Sequence, residues 1–152
     1  MLQNLKIKEG AFVLYKLFNS LFLGVSIGTI FTIYTPLEPT VFSIGGIVLA
    51  LGMLIVAKQY YKILNATYFY RISLLVELVI LLLTIGFLIF SYSYQTALWV
   101  YIGYQITFIF GSYLLRAETL LLKKNDILTR VDTVKQYGYL IGMVVSYFYY
   151  KI

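Results

Sequence analysis

Between Leu78 and Leu115 the chain runs for 38 residues without a formal charge. No soluble domain hides a stretch of that length, and one membrane crossing needs only about 20 residues for a ~30 Å hydrocarbon core. The polar patch Ser91-Tyr-Ser-Tyr-Gln95 divides the run, so it predicts two crossings. Two further uncharged runs, Leu17–Thr35 and Thr40–Ala57, precede it, and a shorter one, Tyr137–Tyr150, follows. Composition agrees. Apolar residues make up 61% of the chain and charged residues 12%, against roughly 45–50% and 25% in soluble domains. A mean hydropathy of +0.88 also excludes disorder. The expectation is one all-α, integral membrane helical bundle over residues 1–152, with the lipid bilayer as its first partner. The predicted spans are 13–35, 39–57, 70–91 and 95–117, with a short 136–150 segment that either crosses or lies at the interface.

The breaks between spans have local causes. Pro36 and Pro39 lack the amide hydrogen and restrict the residue before them, which suits a tight interhelical turn. Lys58–Asn65, with Lys58, Gln59, Lys62 and Asn65, reads as a loop. Leu120–Gln136 carries the densest charge and reads as a surface helix or loop. The first run is too long for a signal-peptide core and ends at Tyr34-Thr-Pro-Leu-Glu-Pro39, so it reads as a true span.

Cations set the expected orientation. With five crossings, eleven of the twelve Lys and Arg residues fall on one side, and Lys151 alone falls on the other. Positive loops stay cytoplasmic, so the N-terminus is expected inside a bacterial inner (cell) membrane. The net charge of +6 then reflects topology and attraction to anionic headgroups, and no nucleic-acid partner is expected. The sequon Asn65-Ala-Thr67 falls on the same inner side and reads as chance.

Catalytic chemistry has little to work with. There is no Cys and no His, which removes their nucleophilic and metal-binding roles. No phosphate-binding loop, nucleophile elbow or zinc-protease motif occurs, so no enzyme activity, metal or cofactor is expected. Glu77 lies inside span three, about six residues or ~9 Å beyond Arg71. A carboxylate there is costly unless paired, wet or protonated. It reads either as an ion-coupling group or as one half of a structural pair with Arg116. Tyr101, Gln105 and Ser112 form a polar stripe on span four, which either lines a solute pathway or bonds across the bundle. Small residues four apart mark helix-packing faces: Gly24 and Gly28, Gly46 with Ala50, and Gly138 with Gly142. Tyr and Trp clusters at span ends read as an aromatic belt.

The Gly-bearing first helix (Leu23-Gly-Val-Ser-Ile-Gly28), the Ser43-Ile-Gly-Gly46 start of the second and the basic inner loops form a pattern. With Asp132-Thr-Val-Lys-Gln-Tyr-Gly138 running into Gly142, this pattern resembles the N-terminal half of a major facilitator superfamily transporter. That resemblance implies a transporter half or small subunit whose polar helix faces line a solute or ion route. The alternative expectation is a non-transport assembly or scaffold subunit that binds another membrane protein or a second copy of itself.

Overall fold

The computed structural model describes residues 7–152; Lys6, counted above among the inner cations, lies outside them. The chain is all-α, with no strand among the described residues. Seven helices follow in order: α1 (Glu9–Ile33), α2 (Pro39–Lys58), α3 (Tyr60–Ile63), α4 (Ala66–Ile89), α5 (Tyr94–Ile109), α6 (Gly111–Leu122) and α7 (Asn125–Lys151). Four helical stretches are long and apolar enough to cross a membrane: α1, α2, α4 and the Tyr94–Leu122 stretch that α5 and α6 share. Their large side chains face outward, as with Phe31, Leu88 and Ile89, each more than 70% exposed. On a water-soluble protein these would form an untenable apolar surface; in lipid they are solvated. The protein is therefore a helical membrane protein.

The expected breaks are present, with short-range hydrogen bonds to explain them. Pro39 occupies the first turn of α2, where a missing amide costs nothing, and the Leu37 amide donates to the Tyr34 carbonyl at 2.9 Å. Asn65 caps α4, its side chain accepting from the Tyr68 amide at 3.1 Å. That cap gives the sequon a structural role. Ser93 caps α5 in the same way, accepting from the Thr96 amide at 3.2 Å, which is why the polar patch stops a helix there.

Three boundaries depart from expectation. The predicted loop at 58–65 contains the short helix α3. The charged stretch after Leu122 is helical from Asn125 and continues without interruption to Lys151, so the short last segment is part of a 27-residue helix. Val131, at 0% exposure, gives that charged part a buried face. Span four is interrupted once, at Phe110, whose amide turns back to the Thr107 carbonyl at 3.2 Å. This tightening to an i→i−3 bond is a 3₁₀-type step inside the span.

The helices gather into two compact units. In one, α1 and α7 lie side by side over most of their length. They run parallel: Gly138 sits against Leu17 and Leu21, Gly24 against Gly142, and Gly28 against Ser146 and Tyr150. The approach is backbone to backbone. A Cβ on Gly24 would meet the Gly142 Cα at 3.0 Å and the Met143 amide nitrogen at 2.9 Å; one on Gly142 would meet the Val25 nitrogen at 2.8 Å. Small residues thus act here as the packing stripe expected of them. Thr29 and Tyr150 share a hydrogen bond at 2.8 Å farther along the same seam.

In the other unit α5 is the central helix, packed against both α2 and α4. It runs antiparallel to α4, where Trp99 fills the space at Gly86 and Leu83 fills that at Gly103. It runs parallel to α2, where Tyr101 covers Gly45 and Ile109 covers Gly52. On α2 it is Gly45 and Gly52, seven apart, that face a neighbour. Gly46, expected to pack, has nothing within 4 Å.

Candidate functional site

The polar stripe of span four becomes two separate places because the helix breaks at Phe110. On α5, Tyr101, Tyr104 and Thr107 are buried. Tyr34, in the turn before α2, and Phe42 on α2 both meet the Tyr101 ring edge-on, at 5.4 Å and 85° and at 5.3 Å and 84°. Such T-shaped contacts add about 0.5–1.5 kcal/mol beyond area burial. Burial, and then the neighbouring Tyr104 and Tyr101 phenols, push the Tyr34 hydroxyl above the ordinary tyrosine range, so it stays neutral.

One turn beyond Tyr101, Gln105 has its Oε1 buried without a hydrogen-bond partner. The side chain is half-buried, and so sits inside the helical unit with one acceptor unmet. A buried carbonyl without a donor costs roughly 1–3 kcal/mol. Thr107 offers no relief, since its hydroxyl already donates to the Tyr104 carbonyl at 2.7 Å.

Past the break, Ser112 no longer continues this stripe. It is exposed, and it lines a cleft with Ala57, Tyr60, Leu115, Arg116, Thr119 and Leu120. The expected stripe of Tyr101, Gln105 and Ser112 is therefore corrected to buried Tyr101 and half-buried Gln105 on α5 and an exposed cleft residue on α6. The physical reason is the tight turn at 107–110, which resets the helical phase.

The two charged candidates also separate. Glu77 is half-buried on α4. Arg116 is exposed in the cleft and has no carboxylate within 4.0 Å among the described residues. A Glu77–Arg116 pair is thus not formed. The more deeply buried carboxylate is Glu118, at 3% exposure. Two residues from Arg116, it lies about 200° around α6 from that exposed side chain, and Tyr113 and Ala117 are buried on the same helix. Nothing in the sequence pattern marked Glu118 for burial, since it lies about 100° around the helix from Ala117 and about 140° from Tyr113.

Tyr113, fully buried, holds α6 to α3: its hydroxyl donates to the Ile63 carbonyl at 2.6 Å, and its ring lies 6.2 Å from that of Tyr60. No group of three or more acidic side chains capable of holding a metal occurs among the described residues. The α1–α7 seam also has a groove of about 460 Å³, lined by Gly24, Gly28 and Ser146 with Met143 and Tyr147. Comparison with protein-family models, with curated proteins and with solved structures finds no match to this chain.

Proposed function

We propose that the chain is a component of a membrane transporter, built like the N-terminal half of a major facilitator superfamily carrier. The observation that carries the reading is Gln105. An acceptor buried in a lipid-embedded helix without a donor persists where water or a passing solute supplies one. The nearby interruption at Phe110 adds to this, since broken helices at membrane depth accompany polar routes. Helix directions support the five-crossing topology: α7 parallel to α1, α5 parallel to α2 and antiparallel to α4. The N-terminus is then cytoplasmic in a cell membrane, with the basic loops on the same side.

The test is flux in proteoliposomes, by osmotic swelling across a panel of sugars, amino acids and ions. Wild-type protein is expected to admit at least one solute, and Gln105→Leu to lose that flux while remaining helical and monodisperse. A panel with no flux above empty vesicles overturns the reading, as does undiminished flux in Gln105→Leu.

One observation favours a second reading, an assembly subunit that binds another membrane protein. No residue of α2 is buried, and Gly46, four residues from Ala50, faces open space where another helix could approach. Co-purification of a stoichiometric partner, lost in Gly46→Leu, would favour it over transport.

A further inference from the structure

The cleft at Arg116 has a volume of about 660 Å³ and lies at the end of α2, where Lys58 follows Ala57 and Lys62 follows Tyr60 by two residues in the chain. Its walls have two characters. Ser112, Arg116 and Thr119 recur at helical spacing on α6 and so share one face. Ala57, Leu115 and Leu120 supply the apolar remainder, and Tyr60 closes one side. Tyr60 does not hang loose, because Tyr113 ties α3 to α6 through the Ile63 carbonyl. Arg116 has no internal counter-ion among the described residues. A guanidinium at a membrane boundary needs an anion or water, and its planar fork of donors matches a phosphate.

We propose that this cleft binds the phosphate of an anionic phospholipid. Arg116 donates to the phosphate oxygens, and the Ser112 and Tyr60 hydroxyls lie in the same cleft as further donors. Ala57, Leu115 and Leu120 receive the glycerol and the upper acyl carbons. Those apolar walls, at the end of membrane-crossing helices, favour a lipid over a free anion. Lys58 and Lys62 add attraction to an anionic leaflet surface. The Thr119 hydroxyl is already donated to the Leu115 carbonyl at 2.9 Å and takes no part as a donor.

The experiment titrates short-chain phosphatidylglycerol into the full chain in neutral detergent, reading bound lipid by native mass spectrometry. Short-chain phosphatidylcholine serves as the zwitterionic reference. Phosphatidylglycerol is expected to bind in preference to phosphatidylcholine. Arg116→Gln is expected to weaken phosphatidylglycerol about ten-fold, with Arg116→Lys in between, because a bidentate pair is replaced by a point charge. Lys123→Gln, which removes a cation outside the cleft, is expected to change it by less than about two-fold. Inorganic phosphate and glycerol 3-phosphate are expected not to compete. Equal binding by wild type and Arg116→Gln overturns the proposal, and so does an equal loss in Lys123→Gln, which would make the effect one of net charge. Competition by inorganic phosphate at the lipid's own concentration also overturns it, in favour of a free-anion site. A circular-dichroism melt of Arg116→Gln matching wild type shows that any loss is local.

Discussion

Glycine serves opposite purposes in the two units. Along α1 and α7 it removes a side chain so that two backbones can touch: Gly24 and Gly142 face main-chain atoms. Around α5 it makes a hole that a large side chain fills: Trp99 at Gly86, Leu83 at Gly103, Tyr101 at Gly45. Both uses follow from packing without a hydrophobic driving force, where close van der Waals fit and polar contacts hold helices together. They differ in what can yield. A side chain can be trimmed or can change rotamer, whereas a backbone in a helix cannot move without moving the helix.

The largest expected effect breaks the backbone seam. Gly142→Leu should cost about 3 kcal/mol or more, since nothing at the Leu21 carbonyl and the Val25 amide can give way. Reversible unfolding in mixed micelles measures it, and a smaller loss than for Gly103→Ala would reverse the comparison. Next, Gly103→Ala should cost about 1–3 kcal/mol by crowding Leu83. Its partner is a side chain, so pairing it with Leu83→Ala should give a double mutant clearly more stable than the sum of the singles. Strict additivity would mean that Gly103 is not a socket for Leu83. The smallest effect lies at the connector before α7, where Lys123 holds a left-handed backbone with φ of 54°. Lys123→Gly should relieve it and stabilise by about 0.5–1 kcal/mol, and a loss of stability would show that the lysine side chain offsets the strain.

The sequence carried the helices and their stops because both depend on short-range chemistry. Charge-free runs mark the crossings, Pro39 starts α2, and Ser93 stops and restarts the chain by capping. Rotation about each helix axis was far less legible. α2 is apolar on every side, so nothing in its pattern distinguishes Gly45, which packs, from Gly46, which does not. The same limit applies to the site. Tyr101 and Gln105 fall together inside the unit, but the step at Phe110 is set by neither proline nor a crowded glycine, and it sends Ser112 and Arg116 to another place. The distance from Arg71 along α4 places Glu77 on that helix but could not supply the facing side of α6. The charged start of α7, read as a surface helix or loop, is a helix with Asp126, Arg130 and Asp132 exposed; the buried Val131 was masked by the charges around it.

The parallel α1–α7 seam bears on biogenesis. The ribosome makes about 90 residues between Ile33 and Asn125, which at ordinary elongation rates takes roughly 5 to 18 seconds. Throughout that interval the Gly24–Gly28 face of α1 lacks the α7 partner it packs against in the folded chain. By length and composition α7 is not among the helices able to cross a membrane, and the helix that packs along it is α1, made first and waiting.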